Sequence, residues 1–178
     1  LPHVMKVAYD PIKQFSAVAS TMYAPVYLLA TKAFKGSSVA DVLAAAKASA
    51  KGVTIASSGY GTLGHIMIEQ FTRQTGANLV HVPYKGGSQL ITDAAGGQFD
   101  LLVANPYAPI NALIAEGKLR VLAVTGPERA AAFAQVPTLG ELGYQSANLT
   151  SLFGCYAPAG TPAAVVQRLN QTINAQLA

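Results

Sequence analysis

The sequence predicts an α/β fold: a parallel-rich sheet with helices on both faces. Three observations predict it. Short apolar runs rich in β-branched residues alternate with segments whose apolar residues recur every third or fourth position. Gly, Pro and Ser/Asn clusters punctuate nearly every switch between the two patterns. Hydrophobic residues make up 51% of the 178 residues, enough for a sizeable core that fits one large domain or parts of two.

Taken in order, Leu1 to Gln14 is irregular, with a turn at Asp10-Pro11 and His3 in a loose leader. Phe15 to Ser20 reads as a strand. Ala24-Pro25 interrupts it, and Val26 to Thr31 is a second strand. Ser38 with Asp41 forms a capping box for an Ala-rich helix, Val39 to Ala50, ended by Gly52. Val53 to Ala56 is a buried strand, and a helix runs from Thr62 to about Thr75 with Gly76 as its cap. Then follow a strand (Leu79 to Val82), a helix (Ser88 to Ala95) stopped by Gly96-Gly97, and a strand (Asp100 to Ala104). Asn105-Pro106 opens a helix to Glu116, and Leu119 to Thr125 is a strand. Glu128 to Ala134 gives one or two helical turns and Pro137 to Leu142 a short helix. Leu149 to Ala157 is a strand, and Thr161-Pro162 starts a last helix carrying Val165, Leu169, Ile173 and Leu177.

Charge excludes some functions. The formal charge is +4, but the 12 Lys and Arg are scattered and there is no Trp, so no nucleic-acid surface is expected. A mild positive field suits small anions. The single cysteine, Cys155, lies in an apolar run and reads as a buried, inert thiol. No apolar run reaches the roughly 18 residues of a membrane span. The three histidines lack ligand spacing, so no metal site is expected. His65 reads as solvent-facing, and His81 as packed or outward-facing in its strand.

The informative stretch is Val53-Thr-Ile-Ala-Ser-Ser-Gly-Tyr-Gly-Thr-Leu-Gly-His65. A strand gives way through a polar, Gly-rich turn to a helix. A helix start exposes unpaired N–H groups and the positive end of the dipole, a setting for a carboxylate or phosphate. Gly59 and Gly61 let a ligand approach the backbone; Ser57, Ser58 and Thr62 add hydroxyls. The loops after the other strands carry Tyr84, Lys85 and Gly86, then Asn105. In an open parallel sheet these loops share one rim, where ligands bind. Structural readings stand beside these: a core-capping Tyr84, a solvated Lys85, an N-capping Asn105.

Gly59-Tyr-Gly-Thr-Leu-Gly64 also matches the dinucleotide pattern, which makes an NAD(P)-binding oxidoreductase using Gly59, Gly61 and Gly64 the alternative. No acidic residue follows at the end of the next strand to hold a ribose, where the chain reads Leu79-Val-His-Val-Pro-Tyr-Lys85. A nucleophile elbow and a rim pair of carboxylates are also missing, so a binding protein without a cofactor, and not an enzyme, is expected. Asp93 and Asp100 look structural.

From Phe15 onward the chain resembles the receptors of tripartite tricarboxylate transporters, the Bug-type periplasmic solute-binding proteins. The matching landmarks are Tyr9-Asp10-Pro11; Ala56-Ser-Ser-Gly-Tyr-Gly-Thr62 with His65; His81-Val-Pro-Tyr-Lys-Gly86; Gly96-Gly-Gln-Phe-Asp100 with Asn105; Gly117 to Thr125; Val136-Pro-Thr138; and Tyr156 to Pro162. The resemblance implies a periplasmic-binding-protein-like two-lobed clamp around a small organic acid: a di- or tricarboxylate, an acidic amino acid or an aromatic acid. It implies membrane permease subunits as partners, a periplasmic location and no membrane span of its own. Residues 21–125 would form a whole lobe, with 1–20 and 126–178 a remnant of the other. Family members are longer, so strands and helices are expected before Leu1 and a helical segment after Ala178.

Overall fold

The computed structural model describes residues 6–177; His3 lies outside them. The elements are β1 (Phe15–Ala24), β2 (Tyr27–Thr31), α1 (Val39–Ala48), β3 (Val53–Ser57), α2 (Leu63–Thr75), β4 (Leu79–Pro83), α3 (Gly87–Gly96), β5 (Leu101–Ala104), α4 (Ala108–Ala115), β6 (Leu119–Val124), β7 (Ser151–Pro158) and α5 (Ala163–Leu177). They form two compact units. One is Pro25–Thr150; the other contains β1, β7 and α5.

The Pro25–Thr150 unit is built on a five-stranded sheet in the order β4-β3-β5-β2-β6. β3 is parallel to β4 and β5, whereas β2 is antiparallel to both β5 and β6. The α/β class is as expected; the sheet is mixed, because the reversed β2, next to the edge strand β6, makes two of its four pairings antiparallel. No helix precedes β2 within this unit, so no crossover fixes its direction. The reversal brings the beginning of β2 to the rim where the parallel strands end.

Side chains of β2 alternate between two cores, as a strand's period of two requires. Leu28 and Ala30 join Val42 of α1 and Met67 and Phe71 of α2. Tyr27 and Leu29 join Leu90 of α3 and Ile110 and Leu113 of α4. All five β2 residues are buried. The helix ends follow local chemistry. Ser38 and Asp41 form the reciprocal box of α1, Gly76 ends α2 at φ 67°, and Gly97 ends α3 at φ 69°. Asp100 accepts from both the Thr54 amide (2.9 Å) and hydroxyl (2.6 Å), the structural role expected of it.

Residues 126–150 pack in this unit, which ends at Thr150. Thr138 bridges to Val124, Leu139 is fully buried, and Tyr144 meets Phe71 edge-on at 4.9 Å. Asn148 holds Gly126 through two hydrogen bonds, 2.9 and 2.8 Å. The short helix expected over Pro137 to Leu142 is instead a run of turns. The Thr138 amide donates to Glu141, the Glu141 amide donates back to Thr138 Oγ1, and Arg129 pairs with Glu141 at 2.9 Å. Helical residues here are limited to two 3-10 turns, Ala131–Phe133 and Gln145–Ala147.

In the other unit, β1 and β7 form an antiparallel pair with irregularities at Ala17/Ala19 and Ser20/Met22. Asn170 of α5 donates to the Val18 carbonyl (2.7 Å). Cys155 is exposed, against the buried thiol expected, because among the described residues β7 pairs only with β1. No helix among the described residues is long and apolar enough to cross a membrane.

Candidate functional site

The turn between β3 and α2 has an inner and an outer side. On the inner side, Ser57 is fully buried and its Oγ lies 2.8 Å from His81 Nε2. The same oxygen accepts the Gly59 amide (3.2 Å). The Gly61 amide donates to His65 Nδ1 (3.2 Å). That bond leaves the proton of a neutral His65 on Nε2, which faces Glu69 Oε1 at 3.6 Å. The two imidazoles stack, centroids 4.6 Å apart, and the exposed Tyr60 ring stands perpendicular to both.

So His65 is half-buried, not solvent-facing, and the amides of Gly59 and Gly61 are occupied by the chain's own side chains. Ser57, Gly59 and Gly61, expected to hold the ligand directly, make hydrogen bonds to Ser57, His65 and His81 around the turn. Gly59 is required there: its φ is 124°, and a Cβ would stand 2.9 Å from the Tyr84 carbonyl oxygen.

His81 Nδ1 is a buried side-chain atom without a hydrogen-bond partner. Burial first, then the neighbouring His65, push its pKa below 6.5, with Glu69 opposing. A depressed histidine pKa means that the unfolded chain takes up a proton the folded chain refuses. The stability it contributes is complete above pH 6.5 and is lost as pH falls from there through the folded value. The melting temperature should therefore drop on acidification below pH 6.5, and His81→Gln should flatten that drop; equal slopes in both proteins would contradict it.

On the outer side is a cavity of about 440 Å³. Thr62, Leu63 and Gly64 bring the start of α2 to it, Gly87 and Leu90 the start of α3, and Tyr107 the start of α4. Val103, Ala104 and Asn105 supply the end of β5, Val26 the chain entering β2, and Ser58 the turn. Three helices of eight or more residues thus direct their N-terminal ends at one space. Thr62 caps α2 by accepting the His65 amide (3.3 Å), and its hydroxyl donates to the Gly59 carbonyl (2.7 Å). Neither Gly86 nor Tyr107 gives its helix a side-chain cap. First-turn amides of α3 and α4, apart from Pro109, which has no N–H, therefore lack the side-chain acceptor that a capping residue supplies.

Of the expected site residues, Ser58, Thr62 and Asn105 line the cavity, and Gly86 is the residue before α3. Tyr84 and Lys85 do not line it. The Tyr84 hydroxyl donates to Asp93 (2.7 Å); burial, then that bond and the Asp93 charge, push its pKa up to about 12. Lys85 is exposed. Asn105 Nδ2 donates to the Pro25 carbonyl (2.9 Å). Tyr107 and Val26 were not anticipated. α4 starts one residue after Tyr107 and not at Pro106, and the reversal of β2 places Val26 on the rim. Burial raises the Tyr107 pKa, so its hydroxyl stays protonated as a donor. Among the described residues no group of three His, Cys, Asp or Glu is placed to hold a metal.

Comparison with known proteins places the chain among solute receptors. The profile of the tripartite tricarboxylate transporter family receptor matches residues 1–178. Protein BugT of Bordetella pertussis is 30% identical over 171 residues, 96% of this chain and 52% of BugT. The structure of R. palustris Rpa4515 with adipate superimposes with a TM-score of 0.86 at 33% identity, over 96% of this chain and 56% of that one. MatC (Rpa3494) from Rhodopseudomonas palustris with bound malate gives 0.83 at 26% identity, over 96% and 58%. The chain spans about half the length of the curated relatives it matches. With the profile matched end to end and periplasmic binding proteins as structural neighbours, the chain belongs to the tripartite tricarboxylate transporter receptor family.

Proposed function

We propose that this chain is part of a periplasmic solute receptor that captures a small carboxylate and delivers it to the permease subunits of a tripartite tricarboxylate transporter. The observation that carries the reading is the convergence of three helix N-termini, two without side-chain caps, on one uncharged cavity. Such amides donate to a carboxylate in place of a cap, and the dipoles favour its charge. Relatives described with adipate and with malate support the ligand class. The cavity offers donors to hold an acid and, in Ser58, Thr62, Asn105 and Tyr107, no carboxylate or imidazole for acid–base chemistry. The nucleotide alternative loses its support here, because the Gly59 and Gly61 amides that would cradle a pyrophosphate already bond to Ser57 and His65.

Hydrogen bonds to a charged group contribute roughly 1.5–3 kcal/mol each. Two or three of them, less the cost of association, give affinities on the order of micromolar. The Ser58→Ala, Thr62→Ala double variant should bind the acid about tenfold more weakly by calorimetry, since a tenfold change is about 1.4 kcal/mol. It should stay folded, losing about 1 kcal/mol with the cap of α2. Unchanged affinity would refute the assignment.

A further inference from the structure

Neither His65 nor His81 lines the cavity, yet both hold the turn that does. The Gly61 amide donates to His65 Nδ1 at 3.2 Å. The next residue, Thr62, caps α2 and lines the cavity with Ser58, Leu63 and Gly64. The Gly61 bond lasts only while Nδ1 keeps its lone pair. An imidazolium carries a proton on both nitrogens and accepts nothing, so turning the ring over cannot restore the bond. One proton on His65 therefore sets two donors against each other at Gly61.

The surroundings decide which ring takes that proton. From α2, Glu69 Oε1 stands 3.6 Å from His65 Nε2 and favours a charge there. From β4, His81 is a poor competitor: its Nε2 is committed to Ser57 Oγ, and its Nδ1 is buried with no partner to receive a proton's hydrogen bond. The two rings stack at 4.6 Å, and Tyr60 of the turn stands perpendicular to both. β3 carries no ionisable residue, Arg73 lies about two turns beyond His65 on α2 and is exposed, and Tyr144 meets Phe71 instead.

Building on the receptor reading above, we propose that His65 is a positioning residue that works as a proton-operated latch on the cavity wall. Neutral, it fixes the turn and the start of α2. Protonated, it releases the Gly61 amide, and Thr62, Leu63 and Gly64 shift with it. Imidazole changes charge between about pH 5 and 8, so the latch opens on mild acidification. The new charge does not offset the loss by drawing in an anion, because Glu69 lies against it. Carboxylate capture weakens as the wall moves.

The test is a pH titration of the ligand-free full chain from about pH 8 to about 5, followed by NMR. The Gly61, Leu63 and Gly64 amides should shift along one curve whose midpoint matches that of the His65 ring. His65→Gln, which offers an oxygen to the Gly61 amide but takes no proton, should remove that curve. Glu69→Gln, at an exposed position, should lower its midpoint by about 0.2–0.4 pH. If Gly61 does not follow the His65 ring, or follows it while Leu63 and Gly64 stay still, the latch is wrong. Benzoate, a carboxylate ionised throughout, should bind at least about threefold more weakly at about pH 5.5 than at about pH 7.5, and His65→Gln should show no such difference. Equal affinity of the parent at both values overturns the latch and leaves carboxylate capture standing. No binding at either value counts against capture, and the ligand-free titration then decides the latch on its own.

Discussion

Gly59→Ala should destabilise the Pro25–Thr150 unit by about 2–4 kcal/mol, the larger part of which is steric. The backbone here has φ 124°, a region that residues with a Cβ avoid, and the new methyl would lie 2.9 Å from the Tyr84 carbonyl oxygen. That oxygen cannot easily retreat, because the Tyr84 amide is tied to the Ser57 carbonyl (3.0 Å) at the end of the β3–β4 ladder. Relief by moving the turn breaks the Ser57–Gly59 bond and the Thr62–Gly59 bond that positions the cap of α2. Gly76→Ala is the control: φ is 67° but nothing lies within 4 Å of the added carbon. It should cost about 1 kcal/mol. In a domain of this size about 2–4 °C accompanies each kcal/mol, so thermal melts should separate the two variants clearly. Equal melting temperatures would mean that the turn moves freely.

Ser58→Asp should abolish ligand binding while leaving the fold intact. Ser58 is exposed and lines the cavity, so a carboxylate there occupies the field of the helix starts without entering the core. Two like charges about 4 Å apart at an effective dielectric of 20 repel by about 4 kcal/mol, so a loss of at least ~100-fold is expected. The same charge near a helix N-terminus stabilises by about 0.3–1 kcal/mol, so the melting temperature should hold or rise slightly. Ser58→Asn, uncharged and similar in size, should bind within a few-fold of the parent. Retained affinity in Ser58→Asp would place the acid elsewhere.

The elements most legible in the sequence are those fixed by neighbours in the chain. The Ser38–Asp41 box and the Gly76 stop each span only a few residues, and each is where the pattern put it. What escaped depends on pairing across the sheet. His81 reaches Ser57 from 24 residues away, along the parallel β3–β4 ladder, and that contact turns the Ser57 hydroxyl inward. No local pattern encodes it. His65 is only four residues from Gly61, but its role as acceptor depends on the stack with His81. Val26 reaches the rim because β2 runs against its neighbours, a direction its fully buried, mostly apolar sequence leaves open. The Gly-rich turn thus borders the cavity through Ser58 and Thr62, while Leu63, Gly64, Gly87 and Leu90 of the helices that follow complete its wall.

The most direct measurement is an amide NMR titration of the full chain with a carboxylate that binds. Binding at the helix starts predicts that Leu63, Gly64, Gly87 and Ser88 shift together along one saturation curve, with Gly59 and Gly61 little changed. Largest shifts at Gly59 and Gly61, or at residues remote from the cavity, would contradict it.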